Sequence, residues 1–256
     1  MIDREIHVAI KSYGRPSAVT TLEVVPFAWV WVPESQAEAY EATYPGRIMS
    51  IHDTKDGNLG RKSNAILDQS PCKWTLILDD DISAIRYFER GRDRKMNAEQ
   101  VRELICAGFD LAAQMGVSLW GINQNSDEMV YCTFRPLSLL SPILGPFNGH
   151  LEPELRYDES VEGKDDYDFW LQTIRKDHRT LRLNKYHYIH DHGKRPGGFV
   201  AMRTESLEEQ GIARMQAKWG PRVFRVGGSP GARRNRRVNP RGNILNSMVR
   251  IPIKGC

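Results

Sequence analysis

The sequence predicts an α/β fold in which a mixed, mainly parallel sheet is flanked by helices. Short apolar runs rich in β-branched and aromatic residues predict buried strands. Helix-forming segments separate these runs, and that alternation is typical of parallel strand–helix–strand units. In order, the predicted elements of this part are strands at residues 6–11, 27–32, 47–52 and 74–79, with helices at residues 18–24, 33–44 and 61–68 between them.

Local signals support the helices among these elements. Ser17 is a candidate cap for the first helix. Pro33 opens the second helix, whose residues are mostly Ala and Glu, and the Pro-Gly pair at residues 45–46 ends it. The segment that follows the third strand, residues 57–60, predicts a glycine-containing loop.

The second half of the chain continues the pattern less regularly. The highly charged residues 86–95 predict a surface loop or a helix end, whereas apolar residues recur at helical spacing in residues 97–115. Prolines and glycines interrupt residues 138–151, so we expect a strand there that is broken by turns. The remaining predicted elements are strands at residues 117–122 and 181–192 and helices at residues 168–175 and 204–219.

The composition indicates a globular chain with a substantial core. The chain has 256 residues, of which 40% are hydrophobic, and we expect one large domain over residues 1–226. No apolar run reaches the length of a membrane-spanning helix, and the N-terminus lacks the apolar region of a signal peptide. The widely spaced cysteines favour reduced thiols and a cytoplasmic location. They are Cys72, Cys106, Cys132 and Cys256.

Charge is distributed unevenly along the chain. The whole chain carries +4, but residues 210–256 contain 11 Lys and Arg and no acid, so residues 1–209 carry about −7. We expect residues 227–256 to form a basic, partly flexible C-terminal extension that binds a polyanion, because Arg matches phosphate geometry. The alternative is a solvated tail that aids solubility. The residues expected to bind nucleic acid are Arg233, Arg234, Arg236, Arg237 and Arg241.

Three consecutive carboxylates, Asp79, Asp80 and Asp81, end the fourth predicted strand. The C-terminal edge of a parallel sheet is where open α/β folds bind ligands. Oxygen ligands suit Mg²⁺ or Mn²⁺, ions that usually bridge to substrate phosphates. The alternative is an ordinary acidic turn. No GxGxxG or GxxxxGK[ST] motif is present, so a diphosphate would be neutralised by the metal together with Arg15, Arg61 or Lys62.

A second acidic cluster precedes the helix at residues 168–175. Asp165 and Asp166 are expected at its N-terminus, where the helix dipole would keep them ionised. One of them is a candidate general base for an acceptor hydroxyl, although plain helix capping explains the same residues. Further on, His187, His190 and His192 lie close together in sequence and offer a further metal ligand.

Taken together, these segments resemble GT-A glycosyltransferases. The ordered set comprises KSYGR at residues 11–15, GNLGRKSN at 57–64, LDDDI at 78–82, DDYDFWL at 165–171 and the late histidines. The resemblance implies that Asp79 and Asp81, with His190 or His192, hold a divalent ion that binds a UDP-sugar. It also implies that Asp166, preceded by Asp165 where Glu is usual, is the catalytic base. The residues then expected to bind the donor are Ser12, Tyr13, Arg15, Arg61, Lys62 and Asp80.

Within that fold the chain is most similar to the TET/JBP-associated glycosyltransferases. The resemblance covers residues 5–200 and includes the KSYGR loop, a Gly-Gly loop after the histidines and the basic tail. It implies transfer of a sugar to 5-hydroxymethylcytosine or 5-hydroxymethyluracil in DNA, with the target base flipped out of the stack. Trp120 and Phe147 are candidates to stack on that base, although core packing is the simpler role for both.

Other functions fit the same residues. The enzyme could act on a protein, a glycan or a small molecule, with the tail binding something else. A nucleotidyltransferase uses the same carboxylate and metal chemistry, and a degenerate domain would only bind DNA or a partner. The sequence leaves open the sugar, inversion or retention, the modified base and the oligomeric state.

Overall fold

A computed structural model describes residues 6–124, 131–190, 205–226 and 247–251 of the chain. Its main sheet contains ten strands in these residues. They are β1 (Ile6–Lys11), β2 (Trp29–Pro33), β3 (Ile48–Ile51), β4 (Trp74–Asp79), β5 (Ile82–Glu89), β6 (Arg92–Lys95), β7 (Leu119–Asn123), β8 (Leu137–Ser138), β9 (Phe147–Leu151) and β10 (Leu181–His190). The helices are α1 (Thr21–Val24), α2 (Ala37–Glu41), α3 (Leu59–Gln69), α4 (Ala98–Met115), α5 (Asp165–Asp177) and α6 (Glu205–Trp219).

The strands follow the order β3-β2-β1-β4-β9-β7-β10-β5-β6, and β8 pairs with β10. The four strands from β3 to β4 are parallel, as the alternation of strands and helices predicts. Beyond β4 the sheet is mixed: β9 runs antiparallel to both β4 and β7, and β7 pairs with β10 in parallel. The predicted α/β class, with a mixed sheet and flanking helices, is confirmed.

One expectation about the elements was wrong. The charged residues 86–95 are not a surface loop or a helix end but most of a β-hairpin formed by β5 and β6. Arg90 and Gly91 have φ angles of 50° and 70° at its turn, as two-residue hairpin loops with a right-handed twist require. The charges suit an edge strand, because they discourage pairing with another chain.

The first two predicted helices are shorter than expected. Only four residues of the first are helical in α1, and a 3₁₀ turn at Glu34–Gln36 precedes the five residues of α2. The helix α5 begins at Asp165, three residues earlier than its apolar pattern indicates.

The core lies on both faces of the sheet. One cluster includes Trp120, which packs edge-on against Phe109 and Phe147 with ring centroids 5.3 Å and 5.5 Å away. Trp120 and Phe147 are fully buried, so they have the core role and do not reach an acceptor base. Space for the indole depends on Gly108 and Gly149, because a Cβ on either would lie 2.2 Å or 2.0 Å from it.

The second cluster packs α5 and α6 against the other face, with Trp170 and Met215 among its buried residues. Part of the C-terminal segment joins this cluster. A short strand, β11 (Phe224–Val226), pairs antiparallel with β12 (Ser247–Val249), and Val249 and Ile251 pack against the cluster. In the residues described here, no helix is both long and apolar enough to cross a membrane.

Candidate active site

A cleft of about 600 Å³ opens at the C-terminal ends of β1 and β4. We call it the acidic cleft, because the end of β4 and the start of α5 both place carboxylates in its lining. The α3 N-terminus and the segment before β9 complete the wall. The predicted site residues that line it are Ser12, Tyr13, Arg15, Lys62, Asp79, Asp80, Asp81, Asp165 and Asp166.

The middle carboxylate of the triplet is committed to internal contacts. Asp80 is 5% exposed, and its two oxygens accept hydrogen bonds from Arg15 Nη1 at 2.8 Å and from Ser12 Oγ at 2.5 Å. Tyr40 OH lies 2.8 Å from the same hydroxyl. Burial raises the pKa of Asp80, against the opposing effects of Ser12 and Arg15. Asp80 therefore fastens the loop after β1 to the end of β4.

Lys62 holds that loop from the other side. Its ammonium group donates to the Ser12 carbonyl and pairs with Asp56 at 2.7 Å. Burial lowers the pKa of Lys62, while the Asp56 charge opposes the change. The ring of Tyr13 lies 5.9 Å from Lys62 Nζ and is 43% exposed, so it presents a flat apolar surface at the cleft.

Asp79 and Asp81 are the two carboxylates of the triplet that remain as candidate metal ligands. Asp79 Oδ1 is buried and lies 3.1 Å from Lys11 Nζ. No group of three or more His, Cys, Asp or Glu side chains in the described ranges forms a metal site by itself. Two carboxylates fit an Mg²⁺ or Mn²⁺ ion whose other positions are filled by substrate phosphates and water, as these ions prefer.

Several predicted residues lie elsewhere. Arg61 Nε donates to Glu159 Oε2 at 2.9 Å, and Arg61 does not line the acidic cleft. His190 is also not among the lining residues; its ring lies edge-on to Tyr188. Outside the described residues lie His192 and the arginines Arg233, Arg234, Arg236, Arg237 and Arg241.

The acidic pair opens α5 and faces the cleft. Asp166 accepts hydrogen bonds from the backbone N–H groups of Gly145 at 3.0 Å and Tyr167 at 2.8 Å. Burial and the neighbouring Asp166 charge raise the pKa of Asp165 to about 7, and burial also raises that of Asp166. The expectation that the helix dipole keeps both groups ionised was therefore wrong for Asp165, because desolvation outweighs the dipole there.

Lys11 is the main functional candidate that the sequence analysis missed. Besides pairing with Asp79, its charge acts on Asp165 and Asp166, so it lies between the two acidic clusters. Burial opposes ionisation, but the neighbouring carboxylates raise the pKa of Lys11 overall. Its position directly before Ser12 was the available signal. Asn148 also lines the cleft and donates to the Gly145 carbonyl at 2.7 Å.

Solved structures of similar fold include mycobacterial proteins. Glucosyl-3-phosphoglycerate synthase from Mycobacterium tuberculosis, in complex with Mg²⁺ and UDP, matches with a TM-score of 0.53 and 12% identity over 97% of this chain and 88% of that one. Its complex with Mn²⁺, UDP-glucose and phosphoglyceric acid matches with a TM-score of 0.52 and 11% identity over 84% and 79%. The crystal structure of a mycobacterial protein matches with a TM-score of 0.52 and 13% identity over 96% of this chain and 83% of that one.

These structural similarities show that the chain has the GT-A glycosyltransferase fold. A search of curated proteins found no significant match. The family model of the TET-associated glycosyltransferases matches residues 6–198, so the chain belongs to that family. The predictions of a glycosyltransferase and of this family are confirmed.

Proposed function

We propose that this glycosyltransferase moves a sugar from a UDP-sugar to the hydroxymethyl group of 5-hydroxymethylcytosine or 5-hydroxymethyluracil in DNA. The observation that carries the proposal is the acidic cleft, where the end of β4 and the start of α5 place two carboxylate clusters around Lys11. One cluster suits a metal–diphosphate complex and the other suits proton removal from an acceptor.

In this proposal Asp79 and Asp81 hold the divalent ion, and His192, which lies outside the described residues, is a further ligand, because His190 does not line the cleft. When bound, the ion would neutralise the developing charge of the diphosphate leaving group. The similar mycobacterial synthase was solved with Mn²⁺ and UDP-glucose, which supports this choice of ion and donor.

The donor would lie against the loop that follows β1. Tyr13 offers an exposed ring for stacking on the nucleobase, and Lys11 and Lys62 supply positive charge near the diphosphate. The roles of Ser12, Arg15 and Asp80 are then to fix the loop, because their polar groups are engaged with one another. Arg61 would lie at the edge of the donor site and not in its lining, since its guanidinium pairs with Glu159.

Asp166 is our candidate for the general base. The N–H groups of Gly145 and Tyr167 orient its carboxylate and favour its ionised form. Asp165 then carries the proton that the buried pair shares near neutral pH. Asp166→Asn should abolish transfer while the affinity for UDP stays near that of the wild type, as isothermal titration can measure. Full turnover by this variant would exclude the assignment.

Two observations support the proposal that the acceptor is DNA: the family to which the chain belongs and the basic C-terminal tail. TET-associated is the family's own designation, and the tail arginines match the requirements of phosphate binding. With DNA as acceptor, the reaction would take place in a bacterial cytosol or in a phage-infected host cell.

The test is mass spectrometry of nucleosides. The protein would be incubated with Mn²⁺, a set of UDP-sugars and duplex DNA that contains either hydroxymethylated pyrimidine, after which the DNA is digested. We expect a mass gain of one sugar on one modified base, and no gain with unmodified DNA or with EDTA. Release of UDP without any change to the DNA would reject the DNA acceptor and favour a protein, glycan or small molecule.

A further inference from the structure

A second cavity, of about 470 Å³, lies beside the acidic cleft and shares Gln124 with it. Its described lining contains Arg135 and Arg182 and no Asp or Glu, and we call it the arginine cavity. Asn123, Asn184 and two serines add uncharged hydrogen-bonding groups. Two adjoining cavities of opposite charge suit two different ligands, and the cationic one suits an anion.

The fold positions the two arginines, and none of the described carboxylates neutralises them. Arg182 Nε donates to Asn184 Oδ1 at 2.8 Å, and Asn184 Nδ2 donates to the Arg135 carbonyl at 3.0 Å. Within the described ranges, no carboxylate forms an ion pair with either guanidinium. Burial lowers the pKa of Arg182, so an anion that enters the cavity would relieve an electrostatic penalty.

A tyrosine lines the same cavity, and an exposed phenylalanine directly precedes Arg135 in the chain. Tyr131 lines the cavity and stacks on Phe88 with ring centroids 4.9 Å apart, and Phe88 stacks in turn on His187 at 4.5 Å. Phe134, directly before Arg135, is 80% exposed. It is the most exposed of the large hydrophobic side chains in the described residues, and a ring presented to water in this way is available to a partner.

We infer that the arginine cavity binds the DNA strand next to the target nucleotide. Arg135 and Arg182 contact its phosphates, and Phe134 stacks on or wedges beside the base that neighbours the extruded one. Through the side that Gln124 shares, the extruded nucleotide enters the acidic cleft. Unstacking a base requires a compensating contact, which an exposed aromatic ring provides. This inference rests on the proposed DNA acceptor and adds where that acceptor binds.

The test uses the whole chain and four variants: Arg135→Ala, Phe134→Ala, Phe134→Trp and the control Arg47→Ala. Arg135→Ala and Phe134→Ala change exposed side chains, so both should fold. Arg47→Ala removes another exposed arginine, just before β3 at the far edge of the sheet. Fluorescence anisotropy would measure binding of short single-stranded and duplex DNA over a range of salt concentrations. UDP release without DNA would report on the donor site alone.

We expect Arg135→Ala to weaken DNA binding about tenfold and to lower the salt slope by about one contact, because one phosphate contact is lost. Phe134→Ala should lower transfer to duplex DNA about tenfold without changing the salt slope, and Phe134→Trp should restore it, because base stacking contributes this much. UDP release should stay unchanged in both variants, and Arg47→Ala should match the wild type throughout.

The outcomes separate the two proposals. If the wild type modifies DNA and both cavity variants behave like Arg47→Ala, the inference is wrong and the DNA acceptor stands. If DNA binds through Arg135 but no sugar is transferred to any base, the cavity is retained and the proposed acceptor is rejected. A wild type that binds no DNA would overturn both.

Discussion

Replacement of Asp165 by Asn should make the protein more stable at alkaline pH. Burial and the Asp166 charge raise the pKa of Asp165 from 3.8 to about 7, so the folded state holds a proton that the unfolded state has released. The free energy of unfolding therefore falls as the pH rises from about 4 to 7. A shift of about three pKa units corresponds to about 4 kcal/mol above that window, and the neutral amide removes this penalty.

Urea unfolding of the protein without added metal or donor, at pH 4.5 and pH 8, measures this effect. Glu103→Gln, an exposed change on α4, controls for the loss of one negative charge. We expect Asp165→Asn to exceed the wild type by roughly 2 to 4 kcal/mol at pH 8 and by much less at pH 4.5, while the control changes little at either pH. Equal effects of the two substitutions at pH 8 would refute the burial argument.

Three further predictions concern the metal ligands, the loop and the core. Asp81→Ala should abolish sugar transfer and leave the melting temperature near that of the wild type; retained turnover would exclude this ligand. Arg15→Ala should lower the free energy of unfolding in urea by about 3 kcal/mol, because Asp80 loses its buried partner. Gly108→Ala should lower the melting temperature, with a loss of about 1 to 3 kcal/mol from the contact with Trp120, although helix propensity alone predicts a gain.

The first half of the sheet could be predicted because its signals are local. The strands β1 to β4 are apolar runs with helical segments between them, and both patterns lie within a few residues. The hairpin of β5 and β6 could not be predicted in this way. In the described residues these strands pair with each other and with β10, and β6 consists entirely of charged residues, so it has no apolar residue to mark it as a strand.

Within the site, Asp79, Asp80 and Asp81 likewise show the difference between what local sequence predicts and what long-range contacts decide. The sequence places three carboxylates at the end of a strand and so indicates a ligand site, because that position faces the sheet edge. It does not distinguish them. Asp80 accepts a hydrogen bond from Arg15, which lies 65 residues earlier in the chain. This contact forms only when β1 and β4 pair.

What the sequence by itself determined was the fold class, the family and the chemical type of the site, since these depend on residue types in a fixed order. The tertiary structure decided which charges meet. It placed Lys11 beside Asp79 and near the pair at the start of α5, and it buried Asp165 deeply enough to raise its pKa. It also joined Arg135 and Arg182 in one cavity. Coulomb and desolvation energies depend on distance and burial, and both are fixed only when segments far apart in the chain pack together.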